Sequence, residues 1–347
     1  MPVKNISSLL GTLICTYGAL TLYNYIRTKK KMKTRLEHIN QYENQGYVIV
    51  NSSQISNRYN SIPLNKPIDY RGKELVRPYM EQLEKSLGND IRLARNNCST
   101  LKLQHSPKIL KTGASGLYNG GENVIKYVNT HSSVMGHEVL HMASFMYDKA
   151  TKTSFHGFMQ QKDETIIGTG LNEGYTELLN ARLFNNGKVH SYKRLVRIVR
   201  LLEEFFPTPQ TLSHYYFTCD LPACLQNLRQ YCTNEELKEI LYGLDKLYEY
   251  SYVPKSPAAI SLEAKLAAKL YHIYERNFAS QPEKVEAFKQ KVCENKLASV
   301  AIANKKHTVQ RTNPFKRIKT FFQNGFRKIK NFFVGNSQPT PQPAYSR

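Results

Sequence analysis

Apolar positions recur every three to four residues along much of this chain, and that spacing predicts helices. One covers residues 72–87 and stops before Gly88-Asn89. Another covers 133–148, with Thr130, His131, Ser132 and Ser133 as N-cap candidates. A third runs from Asn172, as cap, to Phe184 and stops at Asn185-Asn186-Gly187. Further helical patterns cover about 190–205 (broken by Pro207), 234–249 (capped by Thr233), 261–278 and 282–302. Residues 36–70 carry no strong period. Residues 108–128 predict two short extended runs around the turn Asn119-Gly120-Gly121, the second spanning Asn123 to Val128. The front of the chain is therefore mixed and the back helical, an α+β division with a cleft expected near residues 137–175.

The two ends differ from the body. Residues 6–26, ISSLLGTLICTYGALTLYNYI, hold no charge and are long enough to cross a bilayer as a helix. Arg27, Lys29, Lys30, Lys31, Lys33 and Arg35 follow at once, which by the positive-inside rule places the body on the cytoplasmic side. The rivals are an extracytoplasmic body and a cleaved signal peptide. The signal peptide fits less well, because the basic cluster follows the apolar run and no small-x-small site does. Residues 313–334, NPFKRIKTFFQNGFRKIKNFFV, alternate Phe and Ile with Lys and Arg at helical spacing. That suits either a helix lying on anionic lipid or a terminal helix docked on the body. The Pro-rich polar tail 335–347 reads as disordered.

The net charge of +22 sharpens this division. Residues 1–35 carry seven Lys or Arg and residues 305–347 carry ten, with no acid in either, which leaves +5 for residues 36–304. A basic groove for nucleic acid is thereby excluded as the main expectation, and a membrane surface favoured. The expected organisation is an anchor and basic flank (1–35), a body (36–304, with a mixed lobe to about 150 and a helical lobe from about 165), an amphipathic segment (305–334) and the tail. The six cysteines lack the close pairs of a zinc ribbon; buried free thiols are expected, with a disulfide among Cys219, Cys224 and Cys232 left open.

The chemistry sits in VMGHEVLHMAS, residues 134–144. On a helix, His137 and His141 lie one turn apart on one face, so both imidazoles reach one metal ion. Glu138 is rotated about 100° from His137, where it can hold a metal-bound water. A catalytic zinc needs three protein ligands and one open position. Residues 168–180, GTGLNEGYTELLN, supply Glu173, with Glu177 one turn on to accept the far N–H of a ligand histidine. Rival third ligands are His131, His156, Asp163 and Glu164. Candidate donors to a developing oxyanion are Tyr175, His214, Tyr215 and Tyr216.

HEVLH followed by LNEGYTE resembles the gluzincin branch of zinc metallopeptidases, the thermolysin-like and aminopeptidase-like enzymes. The resemblance spans residues 123–180. It implies a zincin-like fold, one Zn2+ held by His137, His141 and Glu173, Glu138 as general base and Glu177 supporting a histidine. It also implies a peptide or protein substrate, held in extended form along an edge strand near Asn123–Val128. Two departures stand out: the spacing to Glu173 implies an insertion around 149–170, and Glu177 stands where thermolysin-like enzymes use Asp. The metzincin pattern is absent, since its third ligand would fall on Tyr147. The expectation is a membrane-anchored zinc endopeptidase; an aminopeptidase would need an acidic clamp that is not evident. The alternative is a tethered interaction protein whose zincin-like fold no longer catalyses.

Overall fold

A computed structural model describes residues 30, 33–37, 52–88, 91–163, 165–251 and 256–294. The apolar stretch 6–26, the segment 313–334 and the tail lie outside them. Among the described residues no helix is long and apolar enough to cross a membrane. The architecture is α+β, mostly helical with two small sheets.

Three short helices open the described body: α1 (Ser52–Asn60), α2 (Arg77–Leu87) and α3 (Arg92–Thr100). Of these only α2 was foreseen, preceded by a 3-10 turn at Glu74–Val76. Strands β1 (Lys102–His105), β2 (Gly116–Asn119) and β3 (Val124–Tyr127) form the first sheet in the order β1-β3-β2. The turn joining β2 and β3 falls at Asn119-Gly120-Gly121 as expected. Asn119 Oδ1 accepts from the N–H groups of Gly121 and Glu122, a local bond that Asn favours in turns. However, β3 is the central strand, parallel to β1 and antiparallel to β2. The expected edge strand at Asn123–Val128 is thus an inner one, and β1 and β2 are the edge strands.

Helix α4 (Ser132–Ala143) carries the histidine motif and ends earlier than expected. Its end is met from outside: Asn97 Nδ2 donates to Met142 O in the last turn and to Phe145 O just beyond the helix. Residues 145–148, expected to continue the helix, form β4 (Phe145–Asp148). This strand starts a four-stranded antiparallel meander with β5 (Thr153–His156), β6 (Met159–Lys162) and β7 (Thr165–Ile167). Cross-strand pairing overrode the helical period there, and the meander fills the expected insertion.

Helix α5 (Thr169–Phe184) starts before Asn172, contrary to the expected cap. Its cap comes from a distant helix. Asp245 Oδ2 accepts from Gly168 N and Oδ1 from Gly170 N. The approach needs a glycine at 170, where a Cβ would stand 2.1 Å from Leu244 O. The remaining helices are α6 (Lys193–Glu203), α7 (Pro209–Phe217), α8 (Leu221–Leu228), α9 (Asn234–Tyr250), α10 (Pro257–Asn277) and α11 (Pro282–Cys293). Helices α7 and α8 were not foreseen. Helix α9 has the expected Thr233 cap, completed by Glu236 as a capping box.

Helix α5 runs through the core, with α4, α6 and α9 packed around it. Most of its residues are buried, so it shows little amphipathic bias. Phe158, Tyr175 and Tyr216 form an aromatic layer joining the β5–β6 turn, α5 and α7, with ring centroids 5.4 to 5.6 Å apart. Cys98, Cys219, Cys224 and Cys232 are buried free thiols, and no disulfide joins the three C-terminal candidates.

Candidate metal centre

The site forms where α4 lies against α5. Gly136 sets the closeness: a Cβ there would come within 2.5 Å of Asn180 Oδ1 and 2.6 Å of the Phe184 ring. One turn along α4, His137 and His141 face the same way. Their Nε2 atoms are 3.1 Å apart. Glu173 projects from α5 between them, with Oε2 3.3 Å from His137 Nε2 and Oε1 3.4 Å from His141 Nε2. Ligand atoms of these three residues all lie within 4.8 Å of one another. Each side chain keeps a small opening to solvent, 10 to 14 % exposed.

Glu177 closes the site from behind and is 1 % exposed. Its Oε2 lies 3.2 Å from His137 Nδ1 and accepts from Asn180 Nδ2, while Oε1 accepts from His190 N and Ser191 N. Burial alone would raise its pKa; the bonds from His137 and the two backbone N–H groups outweigh that and lower it. Thus Nδ1 of His137 is engaged, and Nε2 is the nitrogen turned toward Glu173 and His141. Two imidazoles and one carboxylate at this separation fit the donor set of a zinc site.

Desolvation opposes a charge on His137, but bonds to Glu173 and Glu177 dominate and push its pKa up to about 10. Glu173 shows the reverse: burial is outweighed by both histidines, which hold it well below the usual carboxylate range. Glu138, beside His137, is also buried. Desolvation raises its pKa, against the pull of His137 and His141. Tyr118 N donates to its Oε2 over 2.7 Å. Gly116 makes room for it, since a Cβ there would meet Glu138 Cγ and Oε1 at 2.8 Å. Both contacts come from β2, so the free edge of that strand is the one beside Glu138.

No family model, no curated protein and no solved structure matches this chain.

The remaining candidates are placed unevenly. Tyr175 is two residues from Glu173 on α5, about 200° around the helix. It is fully buried between Phe158 and Tyr216 and does not reach the site. Tyr216 is likewise buried, its hydroxyl 2.7 Å from Thr176 Oγ1. His214 is exposed with its ring beside Tyr215, and Tyr215 packs on Phe206. Periodicity could not separate these roles in a Tyr-rich chain; the core took the rings.

Among the rival ligands, His131 is the exposed N-cap of α4, Asp163 sits exposed in the β6–β7 turn, and Glu164 lies outside the described residues. His156 is different. Strand pairing sets it opposite Phe145, four residues past His141, with ring centroids 4.6 Å apart. Burial and the nearby charge on His141 push its pKa down to about 3, against the pull of Glu173. It is a neutral imidazole beside the cluster and not one of the three converging residues. Tyr192 gave no signal in the sequence. It holds a left-handed conformation (φ 47°), uncommon for a residue with a side chain, and its ring centroid is 5.9 Å from that of His137.

Proposed function

We propose that this chain is a membrane-anchored, zinc-dependent peptidase of zincin-like fold, with His137, His141 and Glu173 as metal ligands. The observation that carries the reading is the convergence of these three side chains, with Glu177 fixing His137 and Glu138 alongside. The resemblance of HEVLH and LNEGYTE to gluzincins agrees with it.

Zinc, when bound, lowers the pKa of a water in its open position and polarises the scissile carbonyl. Glu138 takes the proton of that water. Its Oε2 is held by Tyr118 N–H, leaving Oε1 as the basic atom, and burial raises its pKa, which strengthens it as a base. The same carboxyl then passes the proton to the leaving amine. His156 replaces the tyrosines as the donor to the developing oxyanion, since a neutral imidazole offers a ring N–H without adding charge. An extended substrate pairs along the free edge of β2, whose Tyr118 already reaches Glu138.

Metal analysis of the purified full chain tests the reading. One zinc per chain is expected, retained in Glu138→Gln with loss of peptide hydrolysis, and lost in His141→Ala and Glu173→Ala. Zinc-independent hydrolysis, or one zinc retained by both ligand variants, rules it out.

A further inference from the structure

Tyr192 stands in a backbone conformation that its own side chain disfavours. It is the N-cap of α6, with φ 47° and ψ 32°, and no side-chain bond caps that helix. Glycine or asparagine takes a left-handed conformation at lower cost than tyrosine. Strain of this kind persists where the surrounding structure imposes it, and it clusters at functional sites. What the position gains from tyrosine is therefore its side chain.

The ring lies between two others. Its centroid is 5.9 Å from that of His137, with the planes 33° apart. On the other side it is 5.8 Å from that of Tyr248, in the last turn of α9, with the planes 38° apart. Both separations are within the range of packed aromatic pairs. The segment leading into Tyr192 is pinned by Glu177, whose Oε1 accepts from His190 N and Ser191 N. The same carboxylate meets His137 Nδ1 through Oε2. One buried acid thus sets both the hydrogen-bond partner of the His137 ring and the approach of a second ring to it.

We propose that Tyr192 is a positioning residue for the candidate centre, holding the plane of the His137 imidazole so that Nε2 stays aimed at the point shared with His141 and Glu173. The inference rests on the reading of His137 as a metal ligand. The physical need is specific. The torsion that turns an imidazole about its Cβ–Cγ bond has a broad well. A bond at Nδ1 holds one atom of the ring near its partner; a neighbouring ring limits the swing of the plane itself. A metal bond needs that plane fixed, because the Nε2 lone pair lies in it.

The test uses the full chain, titrated with zinc against a chromophoric chelator and with cobalt(II) as a spectroscopic stand-in. Tyr192→Phe keeps the ring. Tyr192→Asn and Tyr192→Gly remove it, and both suit the left-handed backbone, so that one ringless chain remains if the other does not fold. The Phe variant should bind zinc like the unchanged chain. The ringless variants should bind it about tenfold more weakly. Their visible cobalt bands should shift, because the ligand geometry around the metal has changed. A merely structural role would lower the thermal midpoint of the metal-free chain and leave the cobalt spectrum of the bound form as it was. A folded ringless variant that binds zinc as tightly as the unchanged chain, or with an unchanged cobalt spectrum, would overturn positioning. So would a Phe variant as weak as the ringless ones, since the effect would then belong to the hydroxyl. Failure of the unchanged chain to bind zinc would instead defeat the metal-ligand reading, and positioning with it.

Discussion

Glu177 holds His137 by the nitrogen remote from the candidate metal, Oε2 to Nδ1 at 3.2 Å. The same buried carboxylate satisfies the backbone N–H groups of His190 and Ser191. Replacing it should therefore affect both metal and fold. Glu177→Ala is expected to weaken zinc binding by about 10- to 100-fold. It should also cost roughly 2–4 kcal/mol, because buried donors lose their acceptor. Competitive zinc titration and thermal unfolding of the metal-free chain read the two effects. Unchanged zinc affinity would remove Glu177 from the site.

Zinc binding should release a proton. In the metal-free chain His137 stays protonated up to about pH 10 between Glu173 and Glu177, and a metal ligand must be deprotonated. Between pH 7 and pH 8 the apparent zinc affinity is expected to rise about tenfold, one proton's worth. Calorimetry in two buffers of different ionisation enthalpy checks the proton count. The stability of the metal-free chain follows the same sign. Because the folded pKa of His137 is raised, its contribution is complete below about pH 6.5 and is lost as pH climbs toward about 10.

Two glycines set helix positions that no side chain can share. Gly170→Ala drives a methyl into Leu244 O, a backbone atom that cannot swing aside, and Gly136→Ala pushes on Asn180 and Phe184. Each should destabilise by about 1–3 kcal/mol. Each should also weaken zinc binding, because α5 carries Glu173 relative to both contacts. Parallel measurement of thermal midpoint and zinc affinity separates this from a purely local defect, which would move only the midpoint.

His156→Ala tests the oxyanion assignment. Zinc stoichiometry should be unchanged while kcat falls about 100-fold, with a smaller change in KM. A kcat at the parent level would return the role to another donor.

That His137 shares a helix face with His141, and Glu173 with Glu177, was legible in the sequence because helix periodicity is local. His137 and His141, like Glu173 and Glu177, are four apart, and a shared face follows wherever a helix forms. The β2–β3 hairpin and the Thr233 cap were legible for the same reason, since Asn-Gly-Gly and Thr-x-x-Glu encode their own backbone bonds. The ends of α4 and α5 were not. Asn97 terminates α4 from 45 residues upstream, and Asp245 caps α5 from 75 residues downstream of Gly170. A window along the chain holds neither partner. Tyr175 was misplaced as a donor because its chemistry is right and only its rotation about α5 is wrong.

By itself, the sequence determined which residues can bind a divalent cation and on which face of each helix they stand, since 3.6 residues per turn is a property of the backbone. Only the tertiary structure decided that α4 and α5 approach at Gly136 closely enough to bring Glu173 between the two histidines. It alone also set β2 rather than β3 beside Glu138, His156 opposite Phe145, and Tyr192 beside His137. Those relationships depend on long-range packing and strand order, where burial and mutual hydrogen bonding between distant segments outweigh any local preference.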